Sequence, residues 1–234
     1  MIRIIVDRAS VPGKNYQELV GLASDTKPVE GLITGSKFTE IDTAAEYLFS
    51  EDVGEWLIQG TGRTSIVGAT VTLGASPAYD GTEKTQTVSS VVLGETTLTE
   101  STDYKVVNNK GTLPGTYTLH IVGVGSYCGV IAESFTVTKG SGSVVASPDT
   151  FTLTEGGDNG TSTLTVTGDG AISVSTSAKA VATADVDGTT VTITPVAEGS
   201  ATVTVTLAAG DLYTGGTDTI SVTVSAAEEQ TEGT

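Results

Sequence analysis

Few residues in this chain could do chemistry, and they stand apart from one another. The single histidine, His120, lies in "TYTLHIV", and the single cysteine, Cys128, in "GVGSYCG". A Ser-His-Asp arrangement would have to be built around His120, and no G-x-S-x-G is present. Strand alternation places Tyr117, Leu119 and Ile121 on one face and His120 with Thr118 on the solvent face. One His and one Cys cannot fill a structural zinc site. Cys128 reads as a small apolar filler with no cysteine to pair with. The glycines of "GVGSYCG" are not followed by a helix, which removes a phosphate loop. Glu155 and Asp158 in "TEGGDNGTSTL", and Asp185 and Asp187 in "ADVDG", offer the hard oxygens that calcium takes. Their spacing fits no calcium loop, and Asp and Asn are ordinary turn formers. No acidic pair sits in a recognisable cleft-forming fold, as glycoside hydrolysis would need. The expectation is a non-enzyme with no catalytic residue, no cofactor and no metal.

Binding chemistry is concentrated instead in the aromatics. Aromatic residues make up 5% of the 234, yet the only Trp and two of the four Phe fall within residues 1–60. Tyr47, Phe49, Trp56 and Ile58 alternate along "EYLFS" and "EWLIQ" and share one face, with Phe38 nearby in "KFTEID". Two readings stay open for this cluster: a mini-core of its own, or a docking surface that a partner buries. Tyr213, in the Gly-flanked loop "AAGDLYTGGTD", is the candidate exposed anchor in the last part of the chain.

Charge limits the partners. The net charge is −17, and residues 141–234 hold 1 basic and 12 acidic groups, hence −11 of it. So acidic a surface repels phosphate backbones and anionic bilayers, which argues against nucleic acid and membrane as partners. It keeps copies soluble and apart.

The elements that position these residues are read as strands. Thr, Val, Ser, Gly and Ala dominate from residue 61 onward, a composition suited to pleated, half-buried surfaces. Residues 1–60 read as a small hairpin or meander module with a strand at "MIRIIVD", a helical turn or two over 14–24, and a hairpin across Glu51–Gly54. "GTGRT" (60–64) and "KGSGS" (139–143) read as flexible linkers. Residues 65–139 carry strands near 67–74, 86–93, 104–108, 115–123 and 129–138. Residues 144–225 carry seven, near 151–154, 162–167, 171–175, 180–186, 189–195, 200–207 and 218–225, with Asp187-Gly188 as a two-residue hairpin signal. Residues 226–234 form an acidic tail. The fold class is all-β: the small module followed by two immunoglobulin-like sandwiches in tandem, three beads joined by short linkers.

Three resemblances extend this reading. "FTLTEGG" (151–157), "AVATADVDGTTVTITPVAEGSATVTVT" (180–206) and "DTISVTV" (218–224) resemble bacterial immunoglobulin-like domains of group 2, with Val181-Ala182-Thr183 and Gly199-Ser200-Ala201-Thr202-Val203 at the family's marked places. That family implies a spacer or adhesive sandwich without catalytic residues. Tyr79-Asp80-Gly81, Thr102-Asp103-Tyr104-Lys105-Val106, Gly123–Gly129 and Phe135-Thr136-Val137 are similar to a Tyr- and Gly-marked repeat of bacterial surface proteins, with Ser101 and Cys128 departing from its pattern. Residues 24–59 are similar to a segment of small phage structural proteins. The residues that carry this last resemblance are Asp25-Thr26-Lys27-Pro28, Gly35-Ser36-Lys37-Phe38, Glu40-Ile41-Asp42-Thr43, Tyr47-Leu48-Phe49 and Trp56. Ala44-Ala45 stands where Gly-Lys is usual.

The resemblances imply a structural protein of a phage virion, decorating the capsid or head or forming a fibre-like appendage. Phe38, Tyr47, Phe49, Trp56 and Ile58 would dock it to other virion proteins, the major capsid protein first among them. The sandwiches would make weak multivalent contacts with mucus or host-surface glycans, from many copies or a homo-oligomer. Ile4-Ile5-Val6 is stopped at once by Asp7 and Arg8, so no signal-peptide pattern is expected. Assembly in the host cytoplasm and release by lysis accounts for surface-type domains without one. The alternatives are a bacterial surface adhesin or stalk, or a phage tail appendage.

Overall fold

The computed structural model describes residues 1–59 and 62–227. Among them every regular element is a strand, and no helix is long and apolar enough to cross a membrane. The chain divides into two compact units, Met1–Pro77 with Glu83–Val137, and Ala78–Thr82 with the residues from Thr138 onward. The first two sequence blocks therefore share one unit instead of forming separate beads.

The first unit begins with a five-stranded sheet in sequential order: β1 (Arg3–Val11), β2 (Lys14–Gly21), β3 (Lys37–Glu40), β4 (Glu46–Ser50) and β5 (Glu55–Gln59). All neighbours are antiparallel except β2 and β3, which run parallel. The expected helical turn over 14–24 is strand β2. Gly13 adopts φ 82°, which reverses the chain, and residues 14–20 then pair with β1. Tertiary pairing overrides a weak 3.6-residue period in so short a segment.

The strands that follow in this unit are β6 (Thr64–Ser65), β7 (Thr70–Leu73), β8 (Lys84–Thr85), β9 (Val88–Leu93), β10 (Thr96–Leu98), β11 (Tyr104–Val107), β12 (Lys110–Gly111), β13 (Gly115–Gly123), β14 (Tyr127–Cys128) and β15 (Val130–Val137). They build two three-stranded sheets, β10-β9-β7 and β11-β13-β15, and the small pairs β12-β8 and β14-β6. Val91, Leu98, Leu119, Ile121 and Phe135 are buried between them. The expected linker at 60–64 is partly structured: Thr64 pairs with Tyr127, and the Arg63 guanidinium donates to the Gly125 carbonyl. Gly60 and Thr61 lie outside the described residues. His120 is half covered, with Nδ1 3.4 Å from the Asn108 amide.

The second unit is a sandwich of two four-stranded sheets. Its strands are β16 (Ser143–Ser147), β17 (Thr150–Thr154), β18 (Gly160–Thr167), β19 (Ile172–Thr176), β20 (Ala182–Asp187), β21 (Thr190–Pro195), β22 (Gly199–Leu207) and β23 (Gly216–Ser225). One sheet has the order β16-β18-β21-β20 and the other β17-β23-β22-β19. The chain leaves the first sheet at Pro148-Asp149, and β17 then runs parallel to β23 in the other. With β16 and β17 taken as the two halves of a first strand, β18, β20 and β21 lie with β16 on one sheet and β19, β22 and β23 with β17 on the other, which is the immunoglobulin-like arrangement. Strict alternation drives it: Ile220, Val222 and Val224 of β23 are buried while Thr219, Ser221 and Thr223 are exposed. Val144, Leu164, Ile193, Val203, Val205 and Leu207 join them in one core.

Two turn readings change. In the β20–β21 hairpin Asp187 pairs with Thr190, so the loop is Gly188-Thr189, with Gly188 at φ 59°. "KGSGS" ends as the first residue of β16, and its glycines answer close approach. A Cβ on Gly142 would lie 1.7 Å from the Thr214 carbonyl oxygen. One on Gly140 would lie 2.5 Å from the Tyr79 carbonyl oxygen and 2.9 Å from the Tyr213 ring. Of the expected acidic tail, 228–234 lie outside the described residues.

Candidate functional site

The five docking candidates fall on three neighbouring strands. Phe38 lies on β3, Tyr47 and Phe49 on β4, Trp56 and Ile58 on β5. The register sets Phe38 opposite Tyr47, Phe49 opposite Trp56, and Tyr47 opposite Ile58, so all five share one face. Phe38 and Trp56 meet edge-on at 5.8 Å, Phe49 and Trp56 tilted at 5.4 Å, and Phe38 and Tyr47 edge-on at 6.4 Å. Phe38, Phe49 and Trp56 are buried together with Leu19 and Leu32, while Tyr47 and Ile58 are half exposed. Of the two readings left open by the sequence, the first fits the three buried rings: they form the sheet's own core. Ile58, Tyr47 and the edge of Trp56 line a cleft of about 270 Å³ with Arg63 and Lys105.

A charged group sits in this core. Glu40, at the end of β3, is 4% exposed. Its Oε1 accepts from Lys27 Nζ at 2.8 Å and from the Tyr47 hydroxyl at 2.7 Å. The Thr43 hydroxyl donates to its Oε2. Lys27 also stands 4.8 Å above the Phe38 ring and 4.6 Å above the Tyr47 ring, within cation–π range. Burial pushes the Glu40 carboxyl upward, but the bonds from Lys27, Thr43 and Tyr47 together outweigh it and hold the group below its usual range. Burial and the adjacent Glu40 push the Tyr47 hydroxyl up to about 12.

Around this centre the loops are tied by side chains. Trp56 Nε1 donates to the Pro28 carbonyl at 2.6 Å. Asp25 accepts from the Leu22 amide and the chain's terminal amine, both at 2.9 Å to Oδ2. Asp42 accepts from the Ala23 amide at 2.9 Å. Asp25, Lys27, Pro28, Glu40, Asp42, Thr43, Tyr47 and Trp56 thus tie the sheet to its crossover loop.

Sequence reasoning missed the surface of this module. Six of the large exposed hydrophobics lie within its first 41 residues: Met1, Ile4, Ile5, Leu22, Val29 and Ile41. Met1, Leu22 and Ile41 line a cleft of about 410 Å³ with Arg3 and Val20. The consecutive pair Ile4-Ile5 was the available signal, since perfect alternation would turn one of the two inward.

Tyr213 is half buried. Its ring meets Tyr79 edge-on at 5.3 Å, and its amide donates to Asp169 at 3.1 Å. Asp169 also accepts from the Leu212 amide at 2.8 Å, and these backbone donors hold its carboxyl below the usual range. Part of Tyr213 is thus used in fixing its own loop. Cys128 is a free thiol, half buried on β14. Among the described residues no group of three or more His, Cys, Asp or Glu could hold a metal ion, and Glu155, Asp158, Asp185 and Asp187 do not converge into one.

No family model matches the chain, and no curated protein matches it in sequence. Among solved structures it is similar to domains 4 and 5 of the S-layer protein SbsC, at 15% identity and TM-score 0.32, covering 76% of this chain and 88% of that one. It is similar to titin domains I67–I69 at 13% identity and TM-score 0.34, covering 68% and 65%. A SusE-like surface located polysaccharide binding protein from Bacteroides thetaiotaomicron follows at 15% identity and TM-score 0.27, covering 69% and 35%. At these scores the immunoglobulin-like assignment rests on the strand order of the second unit.

Proposed function

We propose that this chain is a non-enzymatic structural protein of a phage particle, bound to a virion surface such as the capsid and bearing immunoglobulin-like domains for weak adhesion. The observation that carries the reading is the Glu40 network. The phage-like residues Asp25, Lys27, Pro28, Phe38, Glu40, Asp42, Thr43, Tyr47 and Trp56 all take part in the packing and hydrogen bonds of one folded module, so the likeness is to a module and not to a composition. The second unit supports the adhesive half of the reading by what it lacks. With −11 of the charge in residues 141–234 and Phe151 and Tyr213 as that segment's only aromatics, it is short of the aromatic and Arg anchors that tight interfaces use. Each copy then binds glycans with a dissociation constant on the order of 0.1 mM or weaker, and useful adhesion comes from many copies on one particle.

The test is proteomic. Particles purified from lysates of cells carrying the gene should contain this chain in many copies per particle. Its absence from particles, with recovery in the bacterial envelope, would replace this reading with that of a cellular adhesin. Monomeric protein that binds mucin glycans with sub-micromolar affinity would remove the multivalent part.

A further inference from the structure

The cleft lined by Tyr47, Trp56 and Ile58 holds a cation that the protein itself does not match. It lies within the first unit, where these side chains of the N-terminal sheet meet residues 122–125 at the end of β13 and just beyond it. Arg63 and Lys105 complete the lining. Lys105 is paired, its Nζ 2.7 Å from Glu55 Oε2. Arg63 is half buried, and no ion pair among the described residues includes it. Its guanidinium donates to the Gly125 carbonyl. A guanidinium carries five N–H donors in a planar fork, so one neutral carbonyl leaves its charge and most of its donors unanswered. Partial removal from water makes that imbalance costly.

Size and charge together narrow what can answer it. The cleft's volume of about 270 Å³ lies just below the roughly 300–1,000 Å³ of ordinary ligand pockets. That is room for one compact ring and not for an extended peptide. Arg63 and Lys105 supply two positive charges and Glu55 removes one, which leaves a single positive charge at the cleft. The neighbouring Lys27 and Glu40 are a neutral pair at 2.8 Å. One positive charge matches one carboxylate, whereas a phosphate monoester carries about −1.5 to −2 at neutral pH and would be left partly unmatched. The planar fork also fits the two oxygens of a carboxylate. Ile58, Val122 and the Tyr47 and Trp56 rings make much of the remaining lining apolar. A pyranose ring has an apolar C–H face to lay against it.

We propose that this cleft binds a single acidic sugar unit, of the uronic- or sialic-acid class, with its carboxylate on the Arg63 fork and a C–H face of its ring against Ile58 and Tyr47. Tyr47 and Ile58, the two half-exposed members of the aromatic face, thereby gain a ligand that covers them, while Phe38, Phe49 and Trp56 remain core. One contact of this kind is weak, with a dissociation constant on the order of 1 mM, and gains strength from many copies. The cleft belongs to the first unit, so this inference depends neither on adhesion by the sandwich nor on a place in a virion.

Amide-resolved NMR of the isotope-labelled full chain tests it. The probes are sodium glucuronate and sodium N-acetylneuraminate, with glucose and sodium acetate as controls at equal ionic strength. At least one acidic sugar should shift the amides of residues 122–125 and the Arg63 side-chain N–H, and should saturate in the low-millimolar range. Glucose lacks the charge and acetate lacks the ring, so each should bind about ten-fold more weakly or worse. Arg63→Ala should weaken acidic-sugar binding by about ten-fold or more, with Arg63→Lys in between because it keeps the charge without the fork. Glu55→Gln raises the cleft's charge by one and should tighten binding a few-fold. The rest of the amide spectrum reports that each variant is folded. Shifts scattered over the surface, glucose or acetate binding as well as the acidic sugars, an unchanged Arg63→Ala variant, or no shift from either acidic sugar well above that range overturns the proposal.

Discussion

In the N-terminal sheet a carboxylate is buried beside an aromatic core. Glu40 is 4% exposed and bonded by Lys27, Thr43 and Tyr47, and Lys27 in turn lies over the Phe38 and Tyr47 rings. In the C-terminal sandwich the core cluster is Val, Ile, Leu and Ala, and among the described residues its one buried polar residue, Ser162, donates to the Pro148 carbonyl at 2.7 Å. Both regions are built from strands, yet they obtain a unique fold by different means. Apolar side chains attract without direction, so the sandwich depends on alternation along long strands to decide which residue faces which. The N-terminal sheet has strands of only four or five residues at β3, β4 and β5. There a set of directional bonds supplies the register that short alternation leaves underdetermined.

The largest expected effect is in the sandwich. Ile220 is fully buried at the middle of β23, opposite Val203. Ile220→Ala removes three heavy atoms from a close-packed site and should cost about 3–4 kcal/mol. Calorimetry of the full chain should show the loss in one transition only, with the N-terminal sheet's Trp56 signal melting as before. A joint downward shift of both signals would mean that the two regions are not energetically separable.

Next comes the charged centre. Lys27→Ala leaves Glu40 buried without its cation and should cost about 2–4 kcal/mol, read by Trp56 fluorescence during denaturation. Because the folded Glu40 carboxyl titrates below its unfolded value, its contribution is present above the unfolded pKa and is lost as pH falls through the folded one. Tyr47 acts at the other limit. Its folded pKa of about 12 lies above the unfolded 10.0, so its contribution is present below pH 10 and fades as pH rises from there to about 12. With its partial exposure discounted, that amounts to about 1–2 kcal/mol. The sandwich should not share this alkaline loss if its core is apolar throughout. An alkaline melt that weakens both regions equally would erase the distinction.

The same difference decided what could be read from the sequence. Seven strand positions of the sandwich are legible because the period-2 pattern of segments such as "ATVTVTL" (201–207) is the physical cause of their burial. β16 was missed because Ser143–Ser147 follows two glycines that resemble a flexible linker, whereas Gly140 and Gly142 answer the close approach of the 210–214 loop. Glycine serves close approach and flexible linkers alike, so local composition does not tell the two apart. In the N-terminal sheet the aromatic face was visible in "EYLFS" and "EWLIQ", but whether it was core or surface depended on Lys27 and Glu40 meeting across 13 residues of chain. Strand β2 is not legible as a strand because Tyr16, Leu19, Val20 and Ala23 fit a helix as well as an edge hairpin. The exposed aliphatic edge at Ile4 and Ile5 escaped notice because exposure is a property of sheet order, which no single strand encodes.

The smallest effect is also the sharpest form of the comparison, because it changes sign. Thr176, at the end of β19, has a buried hydroxyl with no hydrogen-bond partner among the described residues. A buried polar atom without a partner carries its desolvation cost uncompensated. Val has nearly the same shape as Thr, so Thr176→Val replaces that hydroxyl by a methyl group with little repacking. The sandwich should gain about 1 kcal/mol, seen as a rise in its melting temperature. The matching change in the N-terminal sheet, Tyr47→Phe, also removes one hydroxyl, but that hydroxyl donates to Glu40 at 2.7 Å. Its loss leaves a buried carboxylate short of a donor and should cost about 1–2 kcal/mol. One hydroxyl removed from each region should thus stabilise the first and destabilise the second. If Thr176→Val destabilises the sandwich, its hydroxyl is bonded in solution to water or backbone, and polar contacts specify that core as well. If Tyr47→Phe is neutral, Lys27 and Thr43 suffice for Glu40, and the directional network is narrower than its geometry implies.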